Sequence, residues 1–278
     1  MVTTGGERTR VIEGGDPAGS PIMLLHGWGA SAYSFRHVLP RLAQEGFRVA
    51  VPDLRGHGWS DKPRDPGFYA ARAMAMRVVD LMDALDMERG TLVGQSLGGA
   101  MVMDVVEAAP GRVTGAVLLA PVGFTRIGRA FLFRGTAPHS WFPRRLPRWV
   151  VSLVMRRIYG LRAGWQARDV DEYWATLQSP GAIDALMSIV REFDFTLRAP
   201  GPAAVLGSRL RILFGELDRP IPLAPALAHA RTFPLARVEV IPGAGHVPAE
   251  EVPDEVARVI AEVAGGTPET GASPGAGP

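Results

Sequence analysis

The chain has 278 residues, 47% of them hydrophobic, which is enough to bury one large core, and α/β chains of this size commonly form a single unit with an insertion. A formal net charge of +2 gives no electrostatic footprint for nucleic acid, and zero cysteines exclude a disulfide framework, a cysteine nucleophile and thiolate metal sites. No apolar stretch approaches the roughly 20 residues that span a bilayer. The polar start from Met1 to Thr9 lacks the basic-then-apolar plan of a secretory signal, so a soluble cytoplasmic protein is expected.

In chain order, short apolar and partly β-branched runs predict strands at Ile22–Leu25, Arg48–Val51, Thr91–Val93, Ala116–Leu119, Arg211–Phe214 and Val238–Ile241. Between them, helical spacing covers Ser34–Glu45, Ala71–Leu85, Gly99–Ala109, Leu223–Thr232 and Glu255–Ala264. Such alternation implies a mostly parallel sheet with helices on both faces. The rhythm stops after Pro121. Residues 124–207 read as helical, arginine-rich and loaded with aromatics, among them Trp141, Phe142, Trp149, Trp165, Tyr173 and Trp174. We read this segment as a helical cap inserted into a core made of residues 1–123 and 208–264. The tail, 265–278, is Gly, Pro, Ser and Thr without an apolar anchor and is expected to be disordered.

The chemistry concentrates at Gly94-Gln95-Ser96-Leu97-Gly98, directly after one predicted strand and directly before a helix. A GxSxG run in that place forms a nucleophile elbow: the serine sits on a strained turn, and its small neighbours let the backbone pass close by. The new helix offers the amide of Leu97 to a developing oxyanion. Upstream, the strand Ile22–Leu25 runs into His26-Gly27-Trp28-Gly29, where an oxyanion loop belongs. Downstream, Asp218 lies just past the strand Arg211–Phe214, and His246 follows Val238–Ile241 through Pro242-Gly243-Ala244-Gly245. The order Ser, Asp, His is the one that such an elbow requires.

These residues make the sequence similar to the α/β-hydrolase superfamily, in particular its capped branch of esterases, carbon–carbon bond hydrolases and haloperoxidase-like enzymes. The resemblance runs from about Val11 to Ala264. It rests on His26-Gly27, the stretch Asp53-Leu54-Arg55-Gly56-His57-Gly58-Trp59-Ser60, Gly94 to Gly99, Gly215/Asp218/Pro222 and Gly245-His246. It implies that Asp53, Arg55 and His57 shape the loop beneath the site, and that His26 is structural. It also closes the epoxide-hydrolase and dehalogenase routes, which need an aspartate where Ser96 stands. Carbon–carbon hydrolases stay open, although Trp28-Gly29-Ala30-Ser31 departs from the Gly-Ser-Gly-Pro-Gly that many of them carry.

The expected roles follow. Ser96 is the nucleophile, His246 the base and then the acid, and Asp218 the group that orients His246, with Glu216 as its rival. The backbone amides of Trp28 and Leu97 form the oxyanion hole. Trp28, Gln95, Trp141, Phe142 and Trp149 are candidates for substrate contact. No HExxH, Cys/His cluster or Walker loop is present, so neither a metal nor another cofactor is indicated. The expected activity is that of a cofactor-independent, carboxylesterase-like serine hydrolase, cleaving an ester or related acyl bond of a fairly large apolar substrate. A carbon–carbon hydrolase, a thioesterase, and a non-hydrolytic cyclase or ligand-binding protein are the alternatives.

Basic residues add one further pattern. Apart from Lys62 they are all arginine, and ten fall between Phe124 and Arg168 with no acid among them. Such a field suits an anionic substituent on the substrate, a carboxylate or the phosphate of a carrier-bound acyl chain. A solvated face balanced by Asp169, Asp171 and Glu172 is the second reading, and a membrane-surface contact through Trp149, Val150, Leu153 and Val154 is the third.

Overall fold

Each predicted strand joins one sheet in the structure, a computed structural model that describes residues 1–126 and 146–266. A small hairpin, β1 (Val2–Thr4) with β2 (Glu7–Thr9), precedes it. The main sheet contains β3 (Val11–Gly15), β4 (Pro21–Leu25), β5 (Arg48–Pro52), β6 (Gly90–Gln95), β7 (Val113–Leu119), β8 (Leu210–Gly215) and β9 (Arg237–Ile241). Their spatial order is β3-β5-β4-β6-β7-β8-β9. Only β3 runs antiparallel, along β5; the other pairs are parallel.

The continuous apolar runs are explained by burial on both faces. Successive side chains alternate across a strand, so Met23, Leu25, Leu92, Ala116, Leu118, Ile212 and Phe214 pack into one layer while Ile22, Leu24, Val93, Val117, Leu119 and Leu213 pack into the other. The first layer is closed by α2 (Ala71–Ala84), α3 (Leu97–Ala108) and α8 (Leu223–Ala230). The second is closed by α1 (Leu39–Gln44) and α10 (Pro253–Gly265).

Helix boundaries depart from expectation where proline decides them. The single helix expected over Ser34–Glu45 is split into a 3-10 turn at Ala32–Phe35 and α1, whose second residue is Pro40. Proline tolerates the first turn of a helix, where its missing N–H has no acceptor, but clashes with the carbonyl four residues back in an interior. The last helix includes Gly265, the first residue of the expected tail, and residues 267–278 lie outside the described residues.

Between β7 and β8 the inserted segment is helical where described: α4 (Arg148–Ile158), α5 (Ala167–Leu177), α6 (Ala182–Glu192) and the short α7 (Pro200–Ala203). Val151, Met155 and Tyr159 of α4 and its end pack with Val170 and Tyr173 of α5 and with Val247 of the core. Meanwhile Ala185, Leu186 and Ile189 of α6 join the first core layer. No helix among the described residues is long and apolar enough to cross a membrane.

Candidate active site

Ser96 stands between β6 and α3 with φ +54° and ψ −113°, a conformation that a non-glycine residue adopts only under strain. The turn is held by its own backbone: Ser96 N donates to Leu119 O at 2.9 Å, and Ser96 O accepts from Gly99 N at 3.0 Å and Val122 N at 3.1 Å. The glycines at either end are required by contact. A Cβ on Gly94 would overlap the Gly98 carbonyl, and one on Gly98 would overlap the Leu25 carbonyl at the end of β4.

The partners arrive from the ends of two further strands. His246 Nε2 lies 2.9 Å from Ser96 Oγ, and its Nδ1 lies 2.8 Å from Asp218 Oδ2. Because a carboxylate only accepts, Nδ1 carries the proton and Nε2 is left to accept from the serine hydroxyl. The other Asp218 oxygen accepts from Ile221 N at 2.7 Å, which fixes the carboxylate in the turn after β8. Glu216, the rival acid, is exposed and accepts from Gly243 N at 2.8 Å, so it braces the histidine loop and does not meet the ring. That loop is pinned from the cap as well, since His246 N donates to Ile158 O at the end of α4 at 2.6 Å.

The loop after β4 crosses directly over the serine. A Cβ on Gly27 would stand 3.2 Å from Ser96 Cβ, so this loop passes close to the nucleophile, and the next residue, Trp28, lines the cavity that contains Ser96. Leu97 opens α3, and the first amides of a helix have no carbonyl a turn behind them to accept their protons. His26 transfers no proton in this arrangement. Its Nδ1 donates to Gly27 O at 2.8 Å, its Nε2 accepts from Leu54 N at 2.9 Å, and burial pushes its pKa below the usual histidine value, fixing one neutral tautomer.

The family-like loop is structural in the same way. Asp53 accepts from Ala32 N at 2.7 Å and Trp59 N at 2.8 Å. Arg55 makes a bidentate pair with Glu7, both contacts at 2.8 Å. His57 is buried against Arg55 O, and desolvation holds its pKa well below the ordinary value.

Above Ser96 lies a cavity of about 820 Å³, walled by Gly27, Trp28, Gln95 and His246 from the core and by Val150, Val151, Val154, Met155, Leu186 and Met187 from the cap. Trp28 donates its indole N–H to Leu186 O at 3.0 Å and so ties the loop after β4 to α6. Gln95 is buried, and its side-chain oxygen accepts weakly from Ala249 N at 3.4 Å. Trp149 corrects an expectation. It is 66% exposed and does not line the cavity, because its successors Val150 and Val151 take the inward face of α4 and a helix turns about 100° per residue. Trp141 and Phe142 lie outside the described residues.

Three polar residues that sequence reading missed also line the cavity: Ser34, Tyr173 and Glu250. In the sequence Tyr173 is one cap aromatic among several. Glu250 reads in the sequence as an ordinary acid in the first turn of a helix, here α9 (Pro248–Glu251). The cap arginines divide. Arg148 pairs with Asp171 at 2.5 Å, Arg168 reaches Glu172 at 3.7 Å, and Arg162 donates to Pro242 O at 3.2 Å. Arg156 and Arg157 are exposed, and Arg157 lies at the cavity rim.

Comparison with known proteins fits this geometry. A family model described as the alpha/beta hydrolase family matches residues 22–259. The chain belongs to the alpha/beta hydrolase family. Among curated relatives of this hydrolase, an uncharacterised protein from Mycobacterium tuberculosis (strain ATCC 25618 / H37Rv) is 32% identical over 271 residues, covering 90% of this chain and 75% of its own. Among solved structures, a meta-cleavage product hydrolase from Pseudomonas fluorescens IP01 superposes with a TM-score of 0.79 at 23% identity, over 94% of this chain and 96% of that one. A thermophilic esterase from Thermogutta terrifontis does so with a TM-score of 0.76 at 26% identity, over 94% of each chain.

Proposed function

We propose that this hydrolase cleaves a carboxylic ester, or a related acyl bond, of a fairly large apolar substrate through an acyl-enzyme on Ser96. One observation carries the reading: a serine hydroxyl and a histidine ring nitrogen 2.9 Å apart, the ring's other nitrogen held 2.8 Å from a buried carboxylate, at the floor of a largely apolar cavity. A hydroxyl is a poor nucleophile near neutral pH until a base takes its proton. His246 Nε2 accepts the Ser96 proton as Oγ attacks the carbonyl carbon, and Asp218 stabilises the imidazolium that results. The negative charge that develops on the carbonyl oxygen falls to the amides of Leu97 and Trp28. The tetrahedral adduct collapses as His246 protonates the departing alcohol. Water, deprotonated by the same ring, then releases the acid. The 26% identical esterase supports an ester as the bond cleaved.

Apolar walls from α4 and α6 suit an alkyl or aryl group, and the rim residue Arg157 is the described arginine best placed to meet an anionic substituent. Hydrolysis of a p-nitrophenyl ester series, measured in parallel with Ser96→Ala, tests the proposal. Turnover that falls by several orders of magnitude in the variant supports it. No ester turnover, with release of a carboxylic acid from a vinylogous diketone instead, assigns the same residues to a carbon–carbon bond.

A further inference from the structure

Helix α4 carries two apolar stripes, and the fold uses one. Val151 and Met155, with Tyr159 just past the helix end, pack against α5 and against Val247 of the core. The outer face of a surface helix meets water and needs no second stripe. Yet Trp149, Leu153 and Val154 are 66%, 57% and 51% exposed there, and the spacing i, i+4, i+5 makes them one patch. A single exposed apolar side chain is ordinary, whereas adjoining ones mark a surface that something covers.

Charge around the patch is of one sign. From Leu146 to Arg168 the chain holds no acid. Arg148 and Arg168 find their partners further on, in Asp171 and Glu172. Arg156 and Arg157, one turn beyond Leu153, are exposed and have no carboxylate partner among the described residues. The cavity opens here as well: Leu153, Val154 and Arg157 line it and are also exposed, so they stand where it meets solvent.

We propose that this face of α4 docks on an anionic lipid surface, and that the cavity takes from that surface an ester with an apolar arm. The substrate class rests on the ester-hydrolase reading, while the docking rests on α4 alone. Trp149, Leu153 and Val154 would enter the boundary between headgroups and acyl chains, where an indole keeps its N–H in contact with water. The guanidiniums of Arg156 and Arg157 would stay at the phosphates with their stems laid along the apolar layer. A second copy of the chain fits less well, because a two-fold contact over α4 sets these unpaired arginines against their own copies. A protein partner also fits less well: the 11 residues of α4 span about 16 Å, and one such face falls well short of the roughly 800 Å² that each side of a stable protein interface buries.

The test separates docking from turnover by using Ser96→Ala for binding. Cosedimentation with phosphatidylcholine vesicles, with and without phosphatidylglycerol, should show binding that needs the anionic lipid and weakens with added salt. Arg156→Gln/Arg157→Gln should weaken it about thirtyfold and Trp149→Ser about tenfold. Replacing two exposed arginines elsewhere, Arg72→Gln on α2 with Arg89→Gln before β6, should leave it within about twofold. In the active protein, Trp149→Ser and Arg156→Gln should keep turnover of a water-soluble short-chain ester and slow turnover of a long-chain ester carried in the anionic vesicles. Vesicle binding with no turnover of either ester would sink the ester reading and leave the docking in place. Ester turnover without vesicle binding overturns the docking and leaves the ester reading. Equal binding to neutral vesicles, or an equal loss with the Arg72/Arg89 pair, overturns it too, as does a dimer in sedimentation velocity that Trp149→Ser dissolves, which assigns the face to a second copy.

Discussion

Removing the Glu250 carboxylate should loosen the joint between cap and core by an amount the contacts define. In Glu250→Ala three donors lose their acceptor: one arm of Arg36 and the hydroxyls of Tyr159 and Tyr173. The carboxylate is 2% exposed and Arg36 18%, so water reaches neither easily. Arg36 keeps Asp169, which limits the loss at that end. Stranding one buried donor costs about 1–3 kcal/mol, and breaking a buried ion pair from one side about 3–5 kcal/mol. With Asp169 compensating, about 3–5 kcal/mol in all is expected, a large share of the roughly 5–15 kcal/mol that holds a typical domain. Equilibrium urea unfolding of wild type, Glu250→Ala and Glu250→Gln measures it, and the amide, which still offers one acceptor oxygen, should fall between the other two. A cycle with Tyr173→Phe adds the coupling, since a tyrosine without its acceptor has less left to lose and the double variant should be less destabilised than the sum. A loss below about 1 kcal/mol in Glu250→Ala, or strict additivity in the cycle, would refute the reasoning.

Burial raises the pKa of all four tyrosines: Tyr33, also bonded to Asp169, is pushed up to about 12, and Tyr69, Tyr159 and Tyr173 are raised further. Above the ordinary phenol value of about 10 the unfolded chain then releases protons that the native chain retains, so stability falls as pH rises through that window. Phenolate absorbance should therefore appear together with unfolding, and a phenol titrating near its ordinary value in the native protein would contradict this. Gly98→Ala places a methyl against the Leu25 carbonyl, so ester hydrolysis should drop at least tenfold through displacement of the elbow, with unfolding measured alongside to separate stability from rate. Asp218→Asn should lower kcat by several orders of magnitude while Glu216→Gln stays within a fewfold of wild type, and comparable losses in the two would return the choice of acid to Glu216.

The sheet and the Ser96, Asp218 and His246 arrangement were legible because each is local in sequence. An apolar run ending in Gly-x-Ser-x-Gly, or in a glycine-rich turn before a histidine, already specifies a strand end with one functional side chain just beyond it. The joint around Glu250 was not legible, since Arg36 and Glu250 are 214 residues apart and neither carries a periodic signal. Trp149 failed for a related reason: an apolar residue on a cap helix tells that some face is apolar, while tertiary packing of Val151 and Met155 decides which one turns inward.

Whether Ser96 is an activated nucleophile is tested most directly by reacting the whole protein with a fluorophosphonate and locating the adduct by peptide mass spectrometry. The geometry predicts one adduct, on Ser96, formed in step with loss of ester turnover, and strongly slowed in His246→Ala. Undiminished turnover after the reagent, or labelling of Ser96 at an equal rate without His246, would contradict it.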